Sequence, residues 1–287
     1  MSELTQAARS NKHTMTAHTS PIITVLDIEL LPIEAQVWQL FDQNIGLNQI
    51  SQDWTLMSFA AKRLDPAAPS VSLRKRKAQT TYMDVSGQAN VRDDRELVEA
   101  LWHVLHESDI IVGHNVRRFD YKKMRARMMM LGLQPHSPCR MIDTMELAKG
   151  AASFTSNKLA YLSPALCAVH KTSHKHFPGH ELWSECMKGN PKAWAECKSY
   201  NILDVLSDEE LYIKLRPWAT QHLNVAVYQD PEHPACPVCG SHDLTQDGFA
   251  FTNVSRYPRY HCGGCGAWSR SRYTVNSKTA RKNLLSV

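Results

Sequence analysis

The stretch ITVLDIEL, residues 23 to 30, is a short apolar run that ends in two carboxylates. Asp27 and Glu29 are two positions apart, so in an extended strand their side chains leave the same face. Ionised groups at the edge of an apolar core need compensation, and paired carboxylates often find it in a bound cation. The stretch therefore predicts a buried β-strand whose carboxylates either reach solvent or hold a metal ion.

The chain has 287 residues and 43% apolar content, enough for one large domain or a medium domain with an appendage. No apolar run is long enough for a signal peptide or a membrane span, which predicts a cytoplasmic protein that does not enter a membrane. Residues 1–20 are polar and predict a disordered arm. Half of the eight cysteines come in close pairs, which indicates a reducing compartment with one metal site.

Alternating apolar residues predict further strands at 35–41, 54–62 and 77–83, forming an antiparallel addition beside the first strand. The basic run RKRK, residues 74–77, would then lie at a hairpin or on an edge strand. In that position it would either protect the edge from aggregation or bind phosphate, and the sequence leaves both open.

Apolar periodicity and capping residues predict the secondary-structure elements in the middle of the chain. Apolar residues 97–105 predict an amphipathic helix with Asp93 or Asp94 as its cap. Asp143, after a later short strand, is predicted to cap the helix that follows it. The stretch 170–189 contains four histidines with no standard metal spacing and is predicted to be an irregular basic loop.

A strand-to-helix turn is predicted near the middle of the chain. The strand at 110–112 opens into GHNVRRFD, residues 113–120, and a helix over 121–131 follows. Open α/β sheets place their sites outside the carboxyl ends of their strands, so Asn115 and Asp120 are candidate site residues. On local grounds alone, Asp120 is equally well a helix cap.

A long helix is predicted over residues 190–216, between an Asn-Pro start signal and a proline stop. Tyr200 and Asp204 are four positions apart inside it and share one face, which the surrounding apolar residues turn inward. An inward-facing aspartate needs a partner. That partner is either the Tyr200 hydroxyl or a cation shared with Asp27 and Glu29.

The C-terminal part contains CPVCG and CGGCG, whose spacing is that of a zinc ribbon with one structural Zn²⁺. Without the ion, so short a segment would not fold. From residue 253 onward there are seven basic residues and no acidic one, with aromatic residues between them, which favours contact with phosphates and bases. The alternative is a docking module for a protein, such as a replication or repair protein. The predicted zinc ligands are Cys236, Cys239, Cys262 and Cys265.

Three motifs occur in order: Asp-x-Glu at the first strand, Asn-x-x-x-Phe-Asp on the turn, and Tyr-x-x-x-Asp on the late helix. Together they resemble the DEDD superfamily of DnaQ-like 3′-to-5′ exonucleases in its tyrosine variant. In the amino-acid sequence around these motifs, the chain is most similar to the YprB-type RNase H-like nucleases often found in phages. The residue five before Asp204 is Ser199, which excludes the histidine variant.

The resemblance implies two-metal hydrolysis of phosphodiester bonds from the 3′ end of single-stranded DNA or RNA. It implies that four carboxylates hold two Mg²⁺ or Mn²⁺ ions and that Tyr200 orients the attacking water. A phage-encoded chain would act in the host cytoplasm. The implied metal ligands are Asp27, Glu29, Asp120 and Asp204. The residues predicted to bind nucleic acid are Asn115, Arg117, Arg118, Arg256, Arg259, Arg270 and Arg272.

Two other functions remain open from the sequence. One is a structure-specific endonuclease on the same metal core, and the other is a catalytically silent accessory protein that binds nucleic acid. The presence of all four acids and Tyr200 argues against the silent protein. The predicted fold is an α/β RNase H-like mixed sheet flanked by helices, with a small C-terminal zinc ribbon. The predicted divisions are an arm (1–20), the nuclease domain (21–220), a linker (221–234), the ribbon (235–270) and a basic tail (271–287).

Overall fold

The computed structural model describes residues 20–170, 174–229 and 231–286 of the chain. These residues form two units, of which the first is Ile22–His222. The second comprises Ser20, Pro21 and the described residues from Leu223 onward. No helix within the described ranges is long and apolar enough to cross a membrane. Apart from Ser20, the predicted N-terminal arm lies outside the described residues.

A mixed five-stranded sheet forms the centre of the first unit, with strand order β5-β4-β1-β6-β7. β1 is antiparallel to β4 and parallel to β6, which in turn is parallel to β7. The predicted mixed α/β fold is therefore confirmed. The strands are β1 (Ile23–Leu31), β4 (Thr55–Arg63), β5 (Thr81–Asp84), β6 (Ile110–Gly113) and β7 (Arg140–Asp143), with a separate short pair β2 (Glu34–Ala35) and β3 (Ile50–Gln52).

The helices predicted over 97–105, 121–131 and 190–216 are confirmed. Asn190 caps the longest of them through its side chain, and Gly132 has φ +74° where the 121–131 helix stops. The helices of this unit are α1 (Leu73–Ala78), α2 (Arg95–Glu107), α3 (Asp120–Met130), α4 (Thr144–Ala151), α5 (Leu159–Leu166), α6 (Glu181–Met187) and α7 (Pro191–Leu215).

β1 directs alternate residues to opposite faces of the sheet. Leu26 and Ile28 are buried in the core that includes residues of α2 and α3. Asp27 leaves the other face, which is covered by α7 and where Asn201 contacts it. The two carboxylates of the first motif therefore lie between the sheet and the longest helix.

The strand predicted at 35–41 is wrong. Only Glu34–Ala35 pairs with a neighbouring strand there, and residues 36–41 are irregular. The apolar side chains that suggested alternation are exposed, with Trp38 at 96% and Leu40 at 86%. Apolar alternation predicts a strand only when one face of that strand is buried, and the apolar side chains of residues 36–41 are exposed.

The basic run at 74–77 is helical and does not lie on an edge strand. α1 contains it, and the third predicted strand is shortened to β5. Arg76 is 2% exposed and pairs with Glu210 and, at 3.2 Å, with Glu209. Lys62 also reaches Glu209, with 2.5 Å between Nζ and Oε1. These buried charges are compensated by one another, so Arg76 has a structural partner within the protein.

Asp94 precedes α2 as predicted but does not cap it through its side chain. Its carboxylate instead accepts hydrogen bonds from Arg127 at 2.6 and 2.8 Å and from the Leu56 amide at 2.8 Å. Asp94 therefore ties α2 to α3 and to β4.

The stretch predicted to be irregular at 170–189 contains the helix α6. Its buried residues Leu182 and Cys186 are four positions apart and so occupy one helix face. The helix has only seven residues, which is too short for a periodic apolar pattern to be recognised, and this explains why it escaped prediction.

The second unit contains a three-stranded antiparallel sheet with order β10-β9-β8. One buried cluster of this unit consists of Cys236, Val238, Cys262 and Ala267, and Val225 and Ala226 are buried as well. So small an apolar centre offers little stabilisation without a further crosslink. The elements are β8 (Leu244–Phe251), β9 (Arg256–Cys262), β10 (Trp268–Arg270) and α8 (Lys278–Asn283).

Candidate active site

The parallel strands β1, β6 and β7 end at the same edge of the first sheet. Asp27 and Glu29 lie in the second half of β1, and the turn 113–120 directly follows β6. A bulge between Glu29 and Leu30 interrupts the pairing with β4. Bulges redirect side chains next to functional sites, and this one lies beside a carboxylate.

Three of the predicted metal ligands converge in the structure. One carboxylate oxygen from each of Asp27, Glu29 and Asp204 lies within 4.8 Å of the other two. Asp204 is 2% exposed, whereas Asp27 and Glu29 are half-buried. Three carboxylates this close repel one another unless a cation or protons compensate their charge.

Asn201 holds Asp27 in this cluster. Its Nδ2 donates to Oδ2 of Asp27 at 2.5 Å, and its Oδ1 accepts a hydrogen bond from Ser58 at 3.1 Å. Ser58 lies opposite Glu29 on β4, and both Ser58 and Asn201 are fully buried. The position of Asp27 is therefore fixed from two elements, β4 and α7. Sequence reasoning missed Asn201, although it adjoins Tyr200.

Asp120 is buried at the start of α3 but is not part of the group of three. It is the first residue of the helix, and Phe119 occupies the cap position. The turn before it is held by Asp143, which accepts hydrogen bonds from the amides of Asn115 at 3.0 Å and Arg117 at 3.2 Å. Asn115 has φ +66°, a conformation that asparagine tolerates better than most residues.

The capping role predicted for Asp143 is confirmed. Its carboxylate accepts hydrogen bonds from the amides of Met145 and Glu146, the first turn of α4. Because the same carboxylate binds the 113–120 turn, it joins the ends of β6 and β7. These hydrogen bonds fix the backbone of the turn that leads to Asp120.

A further buried acid, Asp208, lies one turn beyond Asp204 on α7. Burial raises the pKa of Asp208 to about 7 despite a hydrogen bond from Thr144, and the charges of Asp143, Asp204 and Asp120 add to the increase. Its Oδ2 atom is buried without a hydrogen-bond partner in the described part of the chain. Asp208 therefore holds a proton much more readily than an exposed aspartate. It was not predicted, because it precedes two further acids and resembles an exposed charge run.

Tyr200 is half-buried and packs against His174, with ring centroids 4.5 Å apart. It lines an open groove of about 1100 Å³ together with His174, His176 and Lys192. A second groove of about 370 Å³ is lined by Glu29 and by the aromatic rings of Phe119 and Trp183. Each groove thus contains one residue of the predicted site.

The carboxylate cluster has the donor chemistry that Mg²⁺ and Mn²⁺ require. Hard divalent cations prefer carboxylate oxygens, and the cluster offers three from separate residues within 4.8 Å. The side chains of Asp27, Glu29 and Asp204 can therefore hold a divalent cation.

The four paired cysteines also converge. All four Sγ atoms lie within 4.8 Å of one another, and the Cys236–Cys265 and Cys239–Cys262 pairs are 3.7 Å apart. Zinc–sulfur bonds of about 2.3 Å in a tetrahedron give sulfur–sulfur distances of about 3.8 Å. The group therefore fits a four-thiolate zinc site.

The residues predicted to bind nucleic acid occupy several environments. Arg117 and Arg118 are both exposed, and Arg117 is paired with Glu146 at 3.0 Å and with the Met141 carbonyl at 2.6 Å. Arg256, Arg259 and Arg270 belong to the strands of the second unit, and Arg272 follows them. Binding by these residues, and by Asn115, stays a prediction.

Comparison with known proteins agrees with this architecture. The family model of the RNase H superfamily matches residues 70–216, just over half of the chain. The chain therefore belongs to the RNase H superfamily, and this membership supports a nuclease. The matched region includes Asp120, Tyr200 and Asp204, while Asp27 and Glu29 precede it.

A family B DNA polymerase from the hyperthermophilic archaeon Pyrobaculum calidifontis is similar in structure. The match has 12% sequence identity and a TM-score of 0.43 and covers 73% of this chain. It covers 28% of the polymerase, so this chain corresponds to less than a third of that protein. No curated protein matches the chain in sequence.

Proposed function

We propose that this protein is a metal-dependent 3′-to-5′ exonuclease that acts on single-stranded DNA or RNA. The convergence of Asp27, Glu29 and Asp204, whose carboxylate oxygens lie within 4.8 Å of one another, carries the proposal. Asp204 is far from Asp27 and Glu29 in sequence, and the sheet and α7 bring the three residues together at the edge where β1, β6 and β7 end. The order of the motifs supports assignment to the tyrosine variant of the DEDD nucleases.

The four proposed metal ligands are Asp27, Glu29, Asp120 and Asp204. Asp120 joins them because it is buried at the same sheet edge, and because its charge and that of Asp204 act on the same buried Asp208. Two bound divalent ions supply activation of water and neutralisation of charge on the leaving oxygen.

The remaining residues of the site hold a metal ligand in position and orient the attacking water. Asn201 donates a hydrogen bond to one oxygen of Asp27 and thereby fixes the orientation of this carboxylate. In our proposal the Tyr200 hydroxyl orients the attacking water, from its position four residues before Asp204 on α7. The buried, fixed setting of these groups reduces the reorganisation that the reaction requires.

The two grooves suggest how a strand reaches the carboxylates. The larger groove contains Tyr200 with histidine and lysine side chains, and these suit a phosphate backbone. The smaller contains Glu29 with Phe119 and Trp183, whose rings can stack on a base. A single strand presents its phosphates and base faces together, so it matches both linings.

The experiment that tests this function compares linear and covalently closed single strands of identical sequence. We expect Mg²⁺ or Mn²⁺ to support stepwise shortening of a 5′-labelled linear strand, because attack begins at the free 3′ end. The closed circle should survive. DNA and RNA versions of both substrates establish which polymer the enzyme prefers.

The control is the Asp204→Asn variant purified in the same way, which should leave both substrates intact. Early internal cuts in the circle would contradict the exonuclease and favour the endonuclease on the same metal core. Absence of cleavage of every substrate by wild-type protein would contradict both.

A further inference from the structure

The three-stranded sheet of the second unit has two chemically different faces. Residues directly opposite in antiparallel strands share a face, and so do alternate residues along one strand. Trp268 is opposite His261, and Arg270 is opposite Arg259. Tyr257, two positions before Arg259, belongs to the same face. We call these five residues the arginine–aromatic face.

The side chains of this face form a continuous row. Arg270 lies over the ring of Tyr257 at 4.2 Å, and Arg259 lies over the ring of Trp268 at 4.6 Å. The rings of Trp268 and His261 follow, with their centroids 4.9 Å apart. Guanidinium groups held over aromatic rings are fixed in orientation while their N–H groups remain able to donate.

The row carries two positive charges that are only partly compensated. Arg259 and Arg270 are a directly opposed pair, and like charges in that position destabilise a sheet. Asp247 is 3.7 Å from Arg259 and offsets part of that charge, and it is itself 59% exposed. No salt bridge of Arg270 is present among the described residues, and Trp268 is 51% exposed. An anion seated between the two arginines would remove their repulsion.

The opposite face lacks this arrangement. It carries Arg256, Pro258 and Tyr260 from β9 and, opposite them on β8, Phe249 and Phe251. Arg256, which lies over Phe249 at 4.6 Å, is its one arginine within these strands. The arginine–aromatic face therefore carries two directly opposed arginines, whereas the opposite face carries one.

We propose that the arginine–aromatic face binds single-stranded nucleic acid. Its arginines would contact backbone phosphates, and the exposed Trp268 ring would stack on a base, the combination that recognises single strands without sequence preference. The charge favours a polyanion over an apolar protein surface. The proposal does not depend on the nuclease assignment, because binding is measured without hydrolysis.

The test uses the full chain carrying Asp204→Asn, so that the probe is not digested. The variant pair Trp268→Ala with Arg270→Gln removes one exposed ring and one exposed charge from the proposed face. The pair Phe251→Ala with Arg256→Gln removes the same two chemistries from the opposite face. It is the matched control, because the proposal assigns binding to Arg259 and Arg270 and not to Arg256, which the sequence alone had also predicted to bind nucleic acid. Fluorescence anisotropy of a labelled oligothymidylate and a labelled oligouridylate gives the affinity across a salt titration.

We expect the first pair to weaken binding about tenfold or more, because stacking contributes strongly for each base. The slope of log affinity against log salt should flatten by about 0.7 for each lost phosphate contact. The control pair should remain within about twofold of the parent chain. Retention of bound zinc is measured first, and Arg270→Gln alone replaces the first pair if zinc is lost.

Unchanged affinity and slope in the first pair would overturn the proposal and leave this face to a protein partner. Equal losses in both pairs would also overturn it, because binding would then follow net charge and not the face. If hydrolysis fails in every assay of the wild-type chain while the two faces differ in binding, only the nuclease assignment is lost.

Discussion

We expect replacement of Asp204 or Asp27 with asparagine to lower the proposed metal-dependent hydrolysis by about a thousandfold or more. Each substitution keeps the size of the side chain and removes one of three charges that lie within 4.8 Å of one another. A catalytic cation contributes several kcal/mol of charge stabilisation, and each 1.36 kcal/mol corresponds to a tenfold change in rate. The measurement is the initial rate on a 5′-labelled single strand at saturating Mg²⁺.

The control for this prediction is Glu99→Gln, which neutralises an acid on α2 whose side chain is 47% exposed. It should retain the wild-type rate. Tyr200→Phe should lose roughly 10 to 1,000-fold, because it removes one orienting hydrogen bond and leaves the metal ligands intact. Near wild-type turnover by a folded Asp204 or Asp27 variant would contradict the proposed site.

We expect replacement of Cys236 and Cys239 with serine to unfold the second unit and to leave the first unit folded. Cys236 and Cys262 make up half of one buried cluster of the second unit, whose other members are Val238 and Ala267. Binding of structural zinc contributes on the order of 10–16 kcal/mol in small domains, far more than so few apolar contacts supply. Amide hydrogen exchange should show loss of protection in β8, β9 and β10 and unchanged protection in β1 and α7.

The matched control is Cys139→Ser, a half-buried cysteine outside the group of four. That variant should keep one zinc ion per chain and full protection of the second unit. Persistence of protected strands in the Cys236 and Cys239 variant, with no bound metal, would show that the unit does not need zinc.

The elements that carry the site were predictable because their signals are local. The alternation of Asp27 and Glu29 requires only that a strand forms, and the start and stop of α7 follow from Asn190 and the downstream proline. The four-residue spacing of Tyr200 and Asp204 then defines a helix face. Each of these inferences uses residues that are close together in the chain.

The parts that escaped prediction depend on contacts across the fold. Asn201 acquires its role from Asp27 and Ser58, which lie 174 and 143 positions away. Arg76 belongs to a basic run that is typical of an exposed surface, and only the fold reveals the buried Glu209 and Glu210 beside it. Pattern alone does not distinguish a charge that faces water from one that faces an opposite charge.

The acidic residues of α7 are a second case in which the sequence pattern does not reveal that charged side chains are buried. The apolar pattern indicates one inward face, yet residues 204–212 of the helix are all buried. Strand β4, helix α1 and neighbouring helices cover the remaining sides, so acids such as Asp208 become buried as well. A helix enclosed on all sides carries no single apolar stripe from which its surroundings can be predicted.

The central claim is that the carboxylates of Asp27, Glu29 and Asp204 hold the divalent ions on which hydrolysis depends. The most direct measurement is the rate of strand hydrolysis as a function of Mn²⁺ concentration for the wild-type chain and for Glu29→Gln. Loss of a ligand weakens the binding of the metal ion and leaves the rest of the site in place. The Mn²⁺ concentration that gives half-maximal activity should therefore rise at least about tenfold. High Mn²⁺ should restore part of the rate. Superimposable activation curves for the two proteins would contradict the claim.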